Sequence, residues 1–253
     1  MPKVIFVSLI SLVMACTVCI DVQAQEQDPW QRVNRSVFDF NEWTDSKILR
    51  PVAQAYDKVI PRFVRRAVGN VFDNAFTPAV ALNQFLQAKP RQGLNDLSRF
   101  VVNSTLGLGG IIDVATPLGA PKHEEDFGQT FAVWGVPAGN YVVLPFLGPS
   151  NVRDSLGLLV GTLANPVRLI SPAEDRLAVT GLYVIDLRAD LIGVDELVSG
   201  DKYLFRRDAY NQRRVFLIGD GVGAADGFDD DGFDLDEFDA DSVDDAEGAV
   251  IER

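Results

Sequence analysis

The chain has 253 residues, 47% hydrophobic and 23% charged, and a formal net charge of −13. That charge is concentrated at one end: residues 220–253 carry 14 acidic side chains and one basic one, whereas residues 1–219 carry 22 of each sign. A neutral body excludes a basic nucleic-acid footprint. Two cysteines, Cys16 and Cys19, exclude a disulfide framework, and a single histidine, His123, excludes chemistry that needs two imidazoles.

Lys3 followed by the apolar stretch Val4 to Ala15 reads as an export leader, too short for the roughly 20 residues of a membrane span. Two processing routes stay open. Val13-Met14-Ala15-Cys16 resembles a lipobox, which would remove residues 1–15 and leave a lipid on Cys16. Val22-Gln23-Ala24 fits an ordinary signal-peptidase site, with residues 1–24 as the signal peptide.

The body reads as mostly helical. Over 59–72, Ile60, Phe63, Val64, Ala67, Val68 and Val71 fall at helical spacing, with Arg62, Arg65 and Arg66 on the other side. Such a basic face either meets anionic lipid headgroups or is the solvated side of a core helix. Leu94, Leu97, Phe100 and Val101 mark a second helix over 91–105. Residues 127–152 hold no charged side chain but many Gly and Pro residues, so no continuous span crosses them. Tyr141 to Leu144 is the clearest strand signal. Residues 155–167 are also uncharged, and the glycines of Gly157-Leu-Leu-Val-Gly161 permit a close helix approach. So much apolar chain suits a protein lying within one membrane leaflet. Ser171-Pro172-Ala173-Glu174 reads as a capping box opening a helix that runs toward Val198, with Gly181 and Gly193 as candidate breaks and Gly200 as its stop. From residue 219 onward the acidic tail predicts disorder. A calcium loop there fails in register, because aligning Gly232 with the sixth position puts Gly227 first and Phe238 twelfth.

Enzyme signatures fail one by one. Gly107-Leu-Gly109-Gly110 lacks the third glycine of a dinucleotide loop, and Asp126-Phe127-Gly128 has no catalytic-loop partner. His123-Glu124-Glu125-Asp126 offers metal-binding side chains without a metal-site spacing, and a hydrolase built on His123 would need an unmarked serine.

Several longer blocks occur in order: Asp28-Pro29-Trp30, Phe38-Asp39-Phe40-Asn41, Arg50-Pro51-Val52-Ala53, Asn83-Gln84-Phe85-Leu86-Gln87, residues 99–107, Gly110 to Ala115, Glu125 to Thr130, Trp134-Gly135-Val136, Leu144 to Ser150, and Tyr203 with Arg207, Tyr210 and Arg213. Together they resemble the MlaA/VacJ family of outer-membrane lipid-asymmetry proteins over roughly residues 28–216. The resemblance implies a mostly α-helical ring over 28–218, embedded in the periplasmic leaflet of the outer membrane, with a central amphipathic channel and no transmembrane span. It implies a non-enzymatic function without cofactor, metal or nucleic acid: mislocalised phospholipid leaves the outer leaflet through the channel and passes to a soluble periplasmic lipid carrier. A trimeric outer-membrane porin is the implied membrane partner.

By matched position, the family's channel hairpin corresponds to Gly135, Val136, Pro137, Ala138, Gly139, Asn140 and Tyr141. Here Asn140 stands where a proline usually precedes the tyrosine, and Pro137 is added nearby. Phe40 and Asn41 resemble a channel-supporting block. Arg206, Arg207, Arg213 and Arg214 are candidate contacts for phosphate heads, or else a solvated basic face. Two further readings are a structural porin-associated lipoprotein and a lipid hydrolase.

Overall fold

The computed structural model describes residues 28–193 and 200–221. The export leader, Cys16, Val198 and the acidic tail beyond Gly221 lie outside the described residues.

The chain begins with α1 (Gln31–Thr44), a π-helical turn (Asp45–Leu49) and α2 (Arg50–Val59). All three share right-handed helical backbone across their junctions. Ile60 then adopts an extended conformation (φ −89°, ψ 121°), as the residue before a proline must. A new helix, α3 (Arg62–Leu86), starts beyond Pro61 and carries Pro78 within it. It doubles back through Gln87–Lys89 into α4 (Pro90–Thr105), with Ala88 in the left-handed region at φ 60°. A Cβ on Gly93 would stand 2.9 Å from the Phe85 ring, so the two helices meet where a glycine lets them.

After a loop come α5 (Phe127–Val133), the antiparallel strands β1 (Tyr141–Leu144) and β2 (Gly148–Asn151), and α6 (Val152–Ala164). A 3-10 turn (Pro166–Leu169), α7 (Ala173–Asp190) and α8 (Lys202–Ile218) complete the fold. The N-caps of α5 and α6 are side-chain caps: Asp126 accepts from the Gln129 amide and Asn151 from the Asp154 amide, each at 2.8 Å. The capping box expected at Ser171 does not form. Pro172 takes the N-cap position, one residue later, and has no side chain to accept a bond. The helix passes through Gly181 without a break and ends at Asp190, followed by Gly193 at φ 98°.

Two glycines fix the α5–α6 seam. A Cβ on Gly157 would lie 2.3 Å from the Gly128 amide nitrogen, so backbone meets backbone there. At Gly161 the same Cβ would meet only the Phe127 ring at 3.7 Å.

The distribution of side chains is inverted relative to a water-soluble domain. Among the described residues, buried polar and charged side chains outnumber buried apolar ones. The apolar stripe of α4 faces outward, with Leu94 61% and Val101 56% exposed, while Asp96, Arg99 and Asn103 on its other face are buried. Likewise α6 exposes Leu156, Leu158, Leu159 and Leu163. No single helix among the described residues is long and apolar enough to cross a membrane; α6 with the 3-10 turn, followed by α7, passes such a test only as a pair bent by 115°.

Candidate functional site

The polar faces of α3, α4, α7 and α8, with the 113–126 segment, enclose a cavity of about 620 Å³. That size lies within the roughly 300–1,000 Å³ of ligand pockets. Along α3 the lining includes the polar residues Asn70, Asp73, Asn74 and Thr77 with Gly69, Phe72, Phe76 and Val80 among them, one stripe at helical spacing. It continues the face on which Arg62, Arg65 and Arg66 lie. A second cavity of about 430 Å³ is lined by these three arginines and shares Gly69, Asn70, Asp73 and Asp190 with the first.

Buried polar residues hold the wall. Asn103 Oδ1 accepts from the amides of Val114 (2.8 Å) and Ala115 (2.9 Å), while its Nδ2 donates to Asp113 at 3.0 Å. Arg99 donates to Asp113 Oδ2 (3.2 Å), the Thr116 hydroxyl (3.1 Å) and the Ala120 carbonyl. Burial works to raise the Asp113 pKa, but hydrogen bonds from Thr116 and Asn103 and the Arg99 charge outweigh it and hold the carboxyl at about 2.

Asp186 shows the opposite balance. It accepts the Tyr56 hydroxyl at 2.8 Å, yet burial and the nearby Asp190 and Asp73 charges raise its pKa. Burial and the Asp186 carboxylate push Tyr56 up to about 12. Three buried oxygens on the lining residues Asn74 (Oδ1), Asp96 (Oδ2) and Gln129 (Oε1) have no hydrogen-bond partner among the described residues.

The four residues of the His123 cluster diverge. His123 Nδ1 pairs with Asp96 at 2.9 Å, Glu124 accepts from Arg213 at 2.5 Å, Glu125 from Gln87 and Lys89, and Asp126 from Arg214. No group of three or more His, Cys, Asp or Glu among the described residues is placed to hold a metal ion. Among the described residues neither serine nor cysteine lines the cavity beside His123, and the lining hydroxyl of Thr77 donates to its own helix at Asp73 O.

The four candidate arginines of α8 divide. Arg206 pairs with Glu42 and stacks on Phe38, and Arg207 pairs with Asp208; neither lines the cavity. Arg213 and Arg214 do line it. Arg214 is a clamp, its side chain 12% exposed between Asp126 (2.5 Å) and Asp154 (2.8 Å). Burial acts against its charge, and the two carboxylates reverse that and raise its pKa.

The segment 135–140 is the loop joining α5 to β1 rather than a hairpin itself; the hairpin is β1–β2, turning at Phe146 (φ 64°). Gly135 and Gly139 lie at φ 86° and 70°, where a side chain would be strained. The loop is tied to α6 by the Val152 amide to Asn140 O (3.1 Å) and the Arg153 amide to Ala138 O (3.0 Å). Neither Gly135, Val136, Pro137, Ala138, Gly139, Asn140 nor Tyr141 lines the large cavity. Tyr141 is instead a core residue against Tyr203 and Tyr210.

Phe40 and Asn41 hold the true hairpin. Phe40 packs edge-on against Phe146 at 5.2 Å, and Asn41 bonds Leu144 O (2.9 Å) and the Phe146 amide (2.8 Å). Asn34 does the same at the start of β1, with Tyr141 O (3.0 Å) and the Val143 amide (2.9 Å). Seven residues of helix rise about 10.5 Å, and three residues of strand advance about 10 Å. The two asparagines on one face of α1 therefore match the two ends of β1.

A helical protein with its apolar surface outside and its polar groups around a cavity is one built to sit in an apolar surrounding. The chain belongs to the MlaA lipoprotein family, whose model matches residues 26–217. It is similar to the intermembrane phospholipid transport system lipoprotein MlaA of Escherichia coli K12, 35% identical over 218 residues, or 83% of this chain and 86% of the relative. The lipoprotein of the same name from Haemophilus influenzae is 27% identical over 230 residues, covering 87% of this chain and 92% of the relative. An uncharacterised protein of Rickettsia felis is 34% identical over 200 residues, 78% of each chain. A structure solved to explain the maintenance of bacterial outer membrane lipid asymmetry shares the fold, with a TM-score of 0.67 and 35% identity over 76% of this chain and 100% of that one.

Proposed function

We propose that this protein sits in the periplasmic leaflet of the outer membrane as an exported lipoprotein and lets mislocalised phospholipid leave the outer leaflet through its polar cavity. The observation that carries the reading is the inverted side-chain distribution around a cavity of about 620 Å³. Drawing an unpaired polar group through hydrocarbon costs roughly 2–7 kcal/mol, and a charged phosphate far more. A wall of buried Asn, Gln, Asp and Arg side chains replaces the lost hydration for one head at a time, while the exposed leucines of α4 and α6 lie in the lipid. The names of the MlaA relatives support the cargo, and the outer-membrane setting of the related structure supports the location. A soluble periplasmic carrier then takes the lipid, and an outer-membrane porin offers the apolar outer belt a surface to rest on. The loop 135–140, whose Gly135 and Gly139 adopt positive φ angles that glycine takes without strain, is the segment that moves to admit lipid.

The test is outer-leaflet phospholipid in cells lacking the gene, complemented with wild type or with Thr77→Trp. Thr77 lines the cavity and its hydroxyl bonds only its own helix, so the indole fills space without removing a tie. Wild type restores the low level and the filled variant does not. Full complementation by Thr77→Trp, with both proteins equally abundant in the outer membrane, would mean that the cavity is not the route and would favour a structural, porin-organising role.

A further inference from the structure

The geometry points to a headgroup station at the second cavity: Arg62 and Arg66 take the phosphodiester of a zwitterionic phospholipid, and Asp190 takes its amine. This rests on the lipid-route reading and adds where the head is held and which head is favoured.

Three arginines line this cavity, and they are not equivalent. Arg65 is 15% exposed at its side chain and bound to Asp57 at 2.6 Å, which makes it part of the wall. Arg62 and Arg66 are exposed and form no ion pair or hydrogen bond among the described residues, so both guanidiniums remain available as bidentate donors. They stand in the first turns of α3, a 25-residue helix with no acidic residue in its first turn and no side-chain cap. The helix dipole adds to the attraction for an anion.

The same cavity is lined by two carboxylates, Asp73 further along α3 and Asp190 from α7. Asp73 is already neutralised by Lys122 at 2.7 Å. Asp190, exposed at the end of α7, has no cationic partner among the described residues. A group with one negative and one positive charge a few ångströms apart satisfies both sides; a purely anionic head leaves Asp190 repelling it.

The neighbours favour a lipid over free phosphate. Phe63 follows Arg62 at about 100° around the helix, and with Val59 it is more than 70% exposed outside the cavity lining. Acyl chains would lie against these side chains while the head enters between the arginines. The station opens onto the large cavity through the shared Gly69, Asn70 and Asp73.

The experiment is calorimetric titration of the purified full chain in maltoside with dihexanoyl phosphatidylethanolamine, dihexanoyl phosphatidylglycerol, glycerophosphoethanolamine and inorganic phosphate. Wild type is expected to bind the ethanolamine lipid most tightly. Arg62→Gln with Arg66→Gln should weaken it by at least about tenfold, or about 1.4 kcal/mol, and the corresponding double lysine variant should recover most of the loss. Asp190→Asn should weaken the ethanolamine lipid and tighten the glycerol lipid, whose head no longer meets a like charge. No binding of either lipid to wild type would overturn the lipid route itself. Lipid binding that survives the double glutamine variant would overturn the station alone. Inorganic phosphate binding as tightly as the lipid would show a free-phosphate site instead, and an equal effect of Asp190→Asn on both lipids would remove the amine assignment.

Discussion

A single methyl group on Gly157 should separate α6 from α5. Its Cβ would lie 2.3 Å from the Gly128 nitrogen and 2.7 Å from the Gly128 Cα, and backbone atoms cannot swing aside as a side-chain tip can. Gly157→Ala gains about 0.8–1 kcal/mol of helix propensity, yet forcing the helices apart costs typically 1–3 kcal/mol and more when the neighbour is rigid. The seam also places Asp154 against Arg214 and Tyr210, so a shift of α6 stretches a buried ion pair of 2.8 Å. We expect a net loss of about 1–3 kcal/mol. Gly161→Ala is the internal control, because there the Cβ meets only a ring at 3.7 Å, and the propensity gain should survive. Thermal unfolding in one detergent reads both, with Tm moving by about 2–4 °C per kcal/mol for a chain of this size. Gly157 down and Gly161 level or up is the expected pattern. Equal stability of the two variants would refute the claim that backbone contact at Gly128 sets the seam.

Three further outcomes follow from the buried polar wall. Arg99→Met leaves the Ala120 carbonyl without this donor and takes one of several donors from Asp113, and should cost about 1–3 kcal/mol in urea unfolding; a loss under about 1 kcal/mol would show that Arg99 does not pin the 113–120 segment. The folded pKa of Asp113, about 2, lies below its ordinary 3.8, so its contribution to stability is complete above about pH 4 and is lost as pH falls through 2. Asp113→Asn should therefore flatten the acid limb of a stability–pH curve in that window, and an unchanged limb would contradict the assignment. Asp186 has a raised folded pKa, so its ionised form works against folding at neutral pH. Asp186→Asn keeps an acceptor for the Tyr56 hydroxyl and should match or exceed wild-type stability at pH 7, with the advantage shrinking as pH falls; a loss above about 1 kcal/mol would count against it.

The sequence marked helices well and their orientation poorly. Periodicity locates an apolar stripe but carries no sign for which side faces the interior. Leu94, Leu97 and Val101 look like a core stripe in any window, and only the burial of Asp96, Arg99 and Asn103 opposite them shows that the stripe faces out. The uncharged run 127–152 was the legible hint that the surroundings are apolar. The cavity itself was not legible, because its ties join distant positions, such as Tyr56 with Asp186, and each partner alone resembles a solvated residue. Asn34 and Asn41 were the exception within reach: two asparagines seven apart on an otherwise apolar-facing helix are a spacing that a strand edge can use. Family resemblance supplied Phe40 and Asn41 and the segment 135–141, but the structure gives the first pair to the β-hairpin and leaves the second outside the large cavity.

The outward-facing leucines also bear on how this protein responds to temperature. The heat-capacity increment of unfolding comes chiefly from apolar surface newly wetted, about 12–15 cal/mol/K per residue in water-soluble domains. Here much of the apolar surface is already outside, and much of the interior it surrounds is amide, carboxylate and guanidinium. Unfolding within an amphiphile would wet little new hydrocarbon and much polar surface, whose hydration lowers the increment. The stability curve is then shallow: cooling does little to weaken the protein, and its tolerance of heat is set by a polar scaffold of directional bonds rather than by the driving force that closes an ordinary core.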